Sequence, residues 1–394
     1  MIKFLTDLSD EDYFGKSALV RVDFNVSIVN GNIGEDYRIR MSIPTIDYLI
    51  KRKCKVILIS HLGRPKNKSV QYSLLPVSLR LSEILKTRIK FVHDCVGLEV
   101  KKMVDALKES EIVLLENLRF HKEEELNDPE FSKQLASLAD IYINDAFSTS
   151  HRKHSSTYGA ATLFDTKLGG FNLKKEMDYM TMIKDNPIRP FLVVIGGVKI
   201  KDKIGAMEHL LPKADKILIG GAAAYTFLKA KGKKIGNSPI DREHLDWAKS
   251  SLERYSEKIV LPIDHVVSHS PDSDSAIICK ENIPDGTFGY DIGNETIQNY
   301  SNQIGSNKNG SIFWNGPMGF FEKDIFANGT INIAKSMALA YWRGAKTLIG
   351  GGDTLAAMKK SGVSESEVSH VSTGGGATLR YLAGDKMPGL VILE

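Results

Sequence analysis

Basic side chains in the first half of the chain follow short apolar runs, at positions where strands would end. They are Arg21, Arg38, Arg40, His61, Arg64, Arg119, His121, His151, Arg152 and His154. An arginine guanidinium can bind two oxygens of a phosphate or carboxylate at once. Any one arginine could instead form a surface salt bridge, because most arginines are exposed. Several of them at neighbouring strand ends predict a site for a small, multiply anionic molecule. We expect His121 and His154 to be structural.

Glycine-rich turns recur in the second half of the chain. They are Gly196-Gly197-Val198-Lys199, Gly220-Gly221, Gly350-Gly351-Gly352-Asp353-Thr354 and Gly374-Gly375-Gly376-Ala377-Thr378. Glycine lets backbone N–H groups approach phosphate oxygens, and a helix that begins there adds positive potential. One such turn is equally consistent with a tight connection between a strand and a helix. Four turns in one half of the chain predict a nucleotide site.

Charged residues accompany two of these turns. Lys199 follows the first turn, and Lys203 would share a face with it on a helix, because residues four apart are neighbours there. Asp353 lies in the third turn, where a carboxylate suits a hard cation such as Mg²⁺. These side chains strengthen the prediction of a nucleotide site.

Several common motifs are missing from the chain. Gly15-Lys16-Ser17 matches the end of a P-loop, but Asp10 stands where that motif needs its first glycine. No predicted strand is followed by GxGxxG with an acidic residue beyond it, which disfavours an NAD(P)-dependent dehydrogenase. The chain also has no GxSxG and no HExxH. These absences argue against the commonest hydrolase and zinc-protease sites.

Continuous apolar runs predict strands that are buried on both faces, as in parallel sheets. The runs occupy residues 56–59, 112–115, 141–143, 191–195, 217–219, 312–314 and 347–349. Helical stretches separate them, including residues 77–85, 128–138 and 331–342. This alternation predicts an α/β fold with mostly parallel sheets flanked by helices. In such sheets ligands bind beyond the carboxyl ends of the strands.

The chain of 394 residues is too long for one ordinary core, so we expect two domains. Their boundary is expected near residues 171–190, where a predicted helix at 173–184 ends before Asp185-Asn186-Pro187. The net charge of +4 is too small to indicate nucleic-acid binding, although it permits a local basic cleft.

The cysteines and the hydropathy pattern help to predict the cellular compartment. Cys54, Cys95 and Cys279 are widely separated, form no CxxC pair and are expected to be free thiols in a reducing cytoplasm. The first residues contain no apolar run of the kind found in signal peptides, and no run approaches ~18 apolar residues. We expect a cytoplasmic protein without a membrane or nucleic-acid partner.

Nine segments of the chain resemble phosphoglycerate kinase. They are RVDFNV at 21–26, SHLGRP at 60–65, ENLRF at 116–120, NDAF at 144–147, HRKHSS at 151–156, WNGPMG at 314–319, FE at 321–322, GGGDT at 350–354 and HVSTGGG at 370–376. They span nearly the whole chain, and their common order and spacing make coincidence implausible.

The resemblance implies two Rossmann-like domains that face each other across a cleft. The glycerate-binding domain would comprise residues 1–172, with 375–394 returning to it. Residues 173–188 would form an interdomain helix or hinge, and residues 189–374 would form the nucleotide-binding domain. Members of the family are commonly monomers, which is the state we expect here.

The resemblance also implies a reaction, the reversible transfer of a phosphoryl group from 1,3-bisphosphoglycerate to ADP. Its products are 3-phosphoglycerate and ATP, the nucleotide carries Mg²⁺, and the step belongs to glycolysis and gluconeogenesis. Both phosphoryl acceptors are ionised near neutral pH, so we expect direct in-line transfer without a strong general base. Substrates held on separate domains would require closure, which also excludes water.

Carried over position by position, the resemblance assigns two sets of residues. The glycerate site would comprise Asp23, Asn25, Arg38, His61, Arg64, Arg119 and Arg152. The nucleotide site would comprise Gly197, Lys199, Lys203, Gly221, Asn315, Pro317, Glu322, Gly351, Gly352, Asp353 and Thr354. Arg38 and Lys199 would contact the moving phosphoryl group. The amides of Gly374, Gly375 and Gly376 would assist them, Glu322 would reach the ribose, and Asp353 would hold the metal.

Four places depart from the family pattern. Ser27 stands where proline is common, Val198 where alanine is common, Ala222-Ala223 where Gly-Met is usual, and Arg380 where glutamate is usual. None of these changes removes a charge assigned to the site. Val198 and Ala222 could alter how closely the nucleotide fits, so the resemblance fixes the reaction more closely than the preferred base.

Two other functions stay open at the level of the sequence. A carboxylate kinase with another acid acceptor is disfavoured, because an acid without a distal phosphate would not need so many arginines. A catalytically inactive nucleotide-binding module is disfavoured by the presence of Arg38, Lys199, Lys203 and Asp353. Turnover separates these possibilities, whereas binding of the nucleotide alone does not.

Overall fold

The computed structural model describes residues 2–29 and 31–394. The chain divides into two compact units. One comprises the residues up to Met177 together with Lys386–Glu394, and the other comprises Asp178–Asp385. Within the described residues, no helix is long and apolar enough to cross a membrane.

The first unit is a helix-flanked parallel sheet. Its elements are β1 (Ser17–Arg21), β2 (Ile28–Val29), β3 (Asn32–Ile33), α1 (Tyr37–Lys51), β4 (Lys55–Ile59), α2 (Leu75–Leu85), β5 (Ile89–Val92), α3 (Leu98–Asp105), β6 (Ile112–Leu115), α4 (Lys122–Leu126), α5 (Pro129–Ala136), β7 (Ile141–Asn144) and β8 (Lys167–Gly169). Among its described residues, six strands lie in the order β5-β6-β4-β1-β7-β8, and neighbouring strands are parallel. The short strands β2 and β3 form a separate antiparallel pair.

The second unit repeats this plan, after the helix α6 (Phe171–Asp185) in which the division between the units falls. Its elements are β9 (Phe191–Ile195), α7 (Ile204–Leu210), β10 (Lys216–Ile219), α8 (Ala223–Ala230), α9 (Leu245–Arg254), β11 (Ile259–Val260), β12 (Asp264–Ser268), β13 (Ile277–Lys280), β14 (Phe288–Ile292), α10 (Asn294–Gly305), β15 (Ser311–Asn315), α11 (Asn328–Trp342), β16 (Lys346–Gly350), α12 (Gly352–Lys360), β17 (His370–Ser372), α13 (Gly376–Leu382) and, in the first unit, α14 (Pro388–Val391).

Within the described residues of the second unit, the strands form two sheets. Six of them lie in the order β11-β10-β9-β15-β16-β17, again all parallel. The other three form an antiparallel sheet in the order β13-β12-β14. The predicted α/β class with mostly parallel sheets is confirmed.

The apolar runs became strands because both faces of each sheet are covered. Every residue of β6, β9 and β15 is buried. A run of β-branched and large apolar residues suits this position, since no side chain of the strand faces water. The carboxyl ends of the strands are consequently the places where polar and glycine residues take over.

The returning C-terminal segment is shorter than the range 375–394 suggested by the resemblance. The helix α13 packs against α7 and belongs to the second unit, and only Lys386–Glu394 group with the first. In that last segment the carbonyl oxygen of Gly389 accepts from Asn144 Nδ2 at 2.9 Å. The N–H of Gly389 donates to Ser150 O at 2.8 Å. These bonds to the region around β7 account for its place in the first unit.

Candidate active site

Asp23 organises the loop that follows β1. The carboxylate is almost fully buried and forms an ion pair with the guanidinium of Arg38, at the start of α1. The same carboxylate accepts a hydrogen bond from Ser148 Oγ at 2.6 Å and one from the amide of Asn25 at 3.1 Å. Burial lowers the pKa of Arg38, and the nearby carboxylate of Glu176 opposes that shift. Arg38 is therefore held in one place as a charged group.

A second loop, after β4, carries His61 and Arg64. Its backbone turns at Gly63, which has a φ of +62°, and a Cβ there would lie 2.5 Å from the ring of Tyr72. The amide of Gly63 donates to Asn25 Oδ1 at 2.8 Å, and its carbonyl accepts from Arg119 Nη1 at 2.6 Å. Asn25 and Arg119, both predicted site residues, therefore hold this loop in place. Arg64, which the loop carries, is exposed.

Positive charge is concentrated around His61. Burial lowers the pKa of His61 well below 6.5, and Arg21, Arg119, Arg152 and Arg38 lower it further. Burial also lowers the pKa of Arg119 to about 10; Glu125 opposes this shift, whereas Arg152 and Arg21 add to it. Such a cluster of like charges is stable only next to counter-charges, and it attracts anions. The structure therefore brings these basic residues together at one face of the first unit.

The second unit contains a junction where backbone packs against backbone. The amide of Gly197 donates to Pro317 O at 2.7 Å, and the amide of Gly221 donates to Met318 O at 2.9 Å. A Cβ on Gly196 would lie 2.2 Å from Pro317 O, and one on Gly221 would lie 2.6 Å from Gly197 N. The glycines that follow β9 and β10 are therefore required for the turns to approach one another.

A cleft of about 570 Å³ opens beside this junction. All eleven residues predicted for the nucleotide line it: Gly197, Lys199, Lys203, Gly221, Asn315, Pro317, Glu322, Gly351, Gly352, Asp353 and Thr354. Tyr225, Phe288 and Tyr290 also line it. A concave site with charged groups and aromatic walls is typical of nucleotide pockets.

Lys199 and Lys203 differ in their surroundings. Lys199 is exposed, whereas Lys203 is buried and its Nζ donates to the carbonyl oxygen of Lys199 at 3.4 Å. Burial lowers the pKa of Lys203, and the carboxylates of Asp202 and Asp353 oppose that shift. The cleft thus holds one exposed and one buried cation.

Asn315 and Thr354 use their polar atoms within the protein. The amide of Asn315 donates from Nδ2 to Gly350 O at 2.9 Å. The hydroxyl of Thr354 accepts from the amide of Gly316 and donates to Gly350 O, both at 2.8 Å. Both side chains are buried, so they shape the turns that line the cleft.

Asp353 fits the chemistry of a magnesium ligand. It is exposed in the first turn of α12, two residues after Gly351, which caps the helix with a φ of +97°. Mg²⁺ in nucleotide sites typically takes one or two carboxylates, with phosphate oxygens and water completing its shell. The exposed carboxylate of Asp353, among the residues that line this cleft, matches that donor set.

Gly374, Gly375 and Gly376, at the N-terminus of α13, are not among the residues that line this cleft. The amide of Gly374 donates to Ser372 Oγ at 3.1 Å, so it is already used within the turn. Gly375 has a φ of +54°, and nothing lies within 4 Å of a Cβ on it or on Gly376. The Cβ of a side chain at either position would therefore meet no atom of the described residues beyond its own segment of the chain.

Several residues of these two sites were missed by the sequence reasoning. Ser148 contacts Asp23, and a lone serine in a loop gives no pattern from which this could be inferred. Phe288 and Tyr290 line the cleft from alternate positions of β14. Their spacing of two on a strand was a usable signal, because alternate strand residues share a face.

An arginine-rich face and a nucleotide-type cleft on two parallel α/β units define a class, that of phosphotransferases acting on a small anionic acid. The family model for phosphoglycerate kinase matches residues 8–385. The chain is 46% identical over 393 residues to cytosolic phosphoglycerate kinase 3 of Arabidopsis thaliana, covering 98% of this chain and 97% of that protein. It is 47% identical over 397 residues to the phosphoglycerate kinase of Synechococcus elongatus, covering 99% and 98%.

A solved structure agrees with the sequence comparisons. Phosphoglycerate kinase from Coxiella burnetii superposes with a TM-score of 0.86 at 34% identity, covering 100% of this chain and 99% of that one. The chain belongs to the phosphoglycerate kinase family. It is a phosphotransferase with a carboxyl group as acceptor, and it interconverts 1,3-bisphosphoglycerate and ADP with 3-phosphoglycerate and ATP in glycolysis.

Proposed function

We propose that the acid binds to the basic face of the first unit and that the nucleotide binds in the cleft of the second. The observation that carries the first assignment is the set of four arginines whose charges converge on His61. The second assignment is supported by the cleft, whose lining includes both lysines and Asp353. A substrate with a phosphate at one end and a carboxylate or acyl phosphate at the other needs several such cations.

On the acid side, Arg64, Arg119 and Arg152 bind oxygens of the substrate together with His61, while Asp23 and Asn25 support them. Asn25 and Arg119 both hold Gly63, so they also set the position of the loop that carries Arg64. Arg38 forms an ion pair with Asp23, a carboxylate that is itself assigned to the acid site. We assign Arg38 to the reacting end of the acid.

The transfer is direct and in line. An oxygen of the β-phosphate of ADP forms a bond to the phosphorus of the acyl phosphate, while the bond from phosphorus to the acyl oxygen breaks. The electron pair of that bond stays on 3-phosphoglycerate as a carboxylate. No proton has to move, because nucleophile and leaving group are both ionised. The protein therefore contributes position and charge neutralisation.

Arg38 and Lys199 contact the moving phosphoryl group in this proposal. Lys199 is exposed at the cleft, so it can reach a phosphate, whereas Lys203 is held beneath it. Nothing lies within 4 Å of a Cβ at Gly375 or Gly376, and their amides would add donors to the transferred group, while Gly374 supports the turn. These groups would stabilise charge that spreads over three oxygens in the transition state.

Mg²⁺ would be held by Asp353 and by oxygens of the nucleotide, and when bound it neutralises phosphate charge. Glu322 is exposed at the cleft and would accept from the ribose hydroxyls. The aromatic wall of Tyr225, Phe288 and Tyr290 would pack against the base. Because acid and nucleotide are assigned to different units, transfer requires their reacting ends to be brought together.

We also propose that the protein acts as a cytoplasmic monomer, with no nucleic-acid or membrane partner. The three cysteines are free thiols, which agrees with a reducing compartment. Sedimentation of the purified protein at several concentrations tests the oligomeric state, and a concentration-dependent increase in mass would contradict a monomer.

The site assignment is tested by separating the two ligands. Titration of 3-phosphoglycerate and of MgADP into the protein and into Arg64→Ala and Asp353→Asn should show selective losses. Arg64→Ala should weaken only the acid, and Asp353→Asn only the metal nucleotide. If both variants weakened the same ligand, the division of the substrates between the units would be wrong.

A further inference from the structure

A layer of buried polar side chains lies behind the basic face of the first unit. Arg21 and Glu124 are each 1% exposed, and Ser156 between them is fully buried. Arg21 Nε donates to Ser156 Oγ at 2.9 Å, and this hydroxyl donates to Glu124 Oε1 at 2.5 Å. Glu124 Oε2 accepts from the amide of Ser156 at 2.9 Å. One hydroxyl therefore couples the charge of Arg21 to the carboxylate of Glu124.

The rest of the layer holds these groups in place. The other donors of Arg21 include Nη1, which bonds the carbonyl oxygen of Val22. The hydroxyl of the buried Tyr142 donates to the carbonyl oxygen of Ser156 at 2.8 Å. A buried arginine needs both a counter-charge and satisfied donors, because an uncompensated buried charge is strongly destabilising. Glu124 and Ser156 supply both for Arg21.

Arg21 in turn contacts His61. Its Nη2 lies 3.0 Å from His61 Nδ1. Arginine can only donate hydrogen bonds, so Nδ1 must accept, and the proton of the neutral imidazole then lies on Nε2. In the protonated imidazole Nδ1 would also carry a proton, and this N–H would point at the guanidinium, which has no acceptor. The contact therefore selects one tautomer and excludes the imidazolium.

The charges around His61 also disfavour its protonated form. Arg21, Arg38, Arg119 and Arg152 all lower its pKa, in addition to the effect of burial. The carboxylate of Glu124 is bonded to Ser156, which engages both of its oxygens, and not to His61. His61 thus lies among cations without being one.

We propose that Glu124 and Ser156 are positioning residues for the glycerate site, which act through Arg21 to hold His61 as a neutral donor. In this arrangement the Nε2–H of His61 donates to an oxygen of the acid substrate, and the surrounding arginines supply the positive charge. The inference rests on the proposed function, since it takes the basic face to be the acid site. Its consequence is a donor that stays the same as the pH changes around neutrality.

The state of the ring can be measured directly on the full-length protein. Histidine labelled with ¹⁵N gives ten ring systems, and His61→Asn identifies the signals of His61. Long-range ¹H–¹⁵N correlation should show His61 protonated on Nε2, with no titration as the pH passes through 6.5, the ordinary value for histidine. Protonation on Nδ1, or titration near that pH, would overturn the inference.

The role of the buried layer is tested with Ser156→Ala, which removes the hydroxyl and keeps the carboxylate of Glu124. Loss of one hydrogen bond in the chain to His61 should raise KM for 3-phosphoglycerate roughly tenfold, with kcat and KM for ATP little changed. His61 should also begin to titrate in this variant. Glu124→Gln should act in the same direction, and Glu123→Gln on the same helix is the matched control without effect.

The outcomes separate this inference from the proposed function. If Ser156→Ala left both KM for 3-phosphoglycerate and the His61 signals unchanged, the positioning role would be wrong. If 3-phosphoglycerate bound to the wild type without shifting the ¹⁵N signals of His61, the assignment of the acid site itself would fail. Should Glu124→Gln not fold, Ser156→Ala still decides, because its change is smaller and leaves both buried charges, Arg21 and Glu124, in place.

Discussion

The hydroxyl of Thr354 lies 2.8 Å from the amide nitrogen of Gly316, and it joins the turn after β15 to the first turn of α12. The same hydroxyl donates to Gly350 O at the end of β16. Thr354 is buried, so water cannot replace these bonds. One side chain thus fixes two glycine turns of the nucleotide cleft relative to each other.

Thr354→Val should therefore destabilise the protein and weaken nucleotide binding. Valine has a similar shape, but it leaves the Gly316 amide unsatisfied, which costs about 1–3 kcal/mol. Urea unfolding should show this loss, and KM for ATP should rise while KM for 3-phosphoglycerate does not. Thr162→Val, at an exposed hydroxyl that bonds Gly159 O, is the control and should change little. Equal stability of the two variants would contradict the role of Thr354.

Arg64→Ala should raise KM for 3-phosphoglycerate by roughly 10–100-fold, since hydrogen bonds to charged groups are worth about 1.5–3 kcal/mol. Arg64 is exposed, so the free energy of unfolding should not change. Arg40→Ala is the matched control, because Arg40 is also exposed and is bonded to Asp36 away from the loop. Steady-state kinetics decide the matter, and a fall in kcat with an unchanged KM would refute a binding role.

Asp353→Asn should increase the Mg²⁺ concentration needed for half-maximal turnover by at least about tenfold. Even residues behind the direct ligands of a metal are worth roughly 10–100-fold in affinity. Asp202→Asn removes another carboxylate from the same cleft and controls for general electrostatics. If the two variants showed the same shift, Asp353 would not be a specific metal ligand.

Asp291 makes stability depend on pH. Burial raises its pKa to about 8, from 3.8 for an ordinary aspartate, although it accepts hydrogen bonds from two backbone amides. Between these values the native state binds more protons than the unfolded state. The stabilisation of the protonated form is complete below pH 3.8 and is lost as the pH rises through 8.

Asp291→Asn cannot ionise, so its free energy of unfolding should lack this decline. Urea unfolding at a series of pH values should show the wild type losing stability relative to the variant up to about pH 8, with a constant difference above it. Asp285→Asn, at an exposed position, should follow the wild type. Parallel curves for wild type and Asp291→Asn would contradict the buried, protonated carboxyl.

The parallel sheets were predictable because their strands are buried on both faces and leave uninterrupted apolar runs. The antiparallel sheet was not, since β13 is mostly exposed and β12 and β14 mix polar with apolar residues. The sequence predicts a boundary near residues 171–190, but it does not predict the point inside α6 at which the units divide, because a continuous helix carries no local signal of where one unit ends.

The residues of the candidate site also fall into a predictable and an unpredictable group. Charged and glycine residues at strand ends, such as Lys199 and Gly197, could be found from type and position. The buried partners could not, because Glu124 and Ser156 are far apart in the chain and meet only through the fold. Thr354 was identified as a cleft residue, but only the structure shows that its hydroxyl bonds the backbone.

The most direct test of the account is turnover of 3-phosphoglycerate and ATP with Mg²⁺, coupled to glyceraldehyde-3-phosphate dehydrogenase and followed by NADH consumption. The account predicts that Arg38→Ala folds and binds the nucleotide but loses kcat by roughly 10³-fold or more, the value of a charged clamp on a transferring phosphoryl group. A kcat near that of the wild type in this variant would contradict the placement of Arg38 at the reacting phosphoryl group.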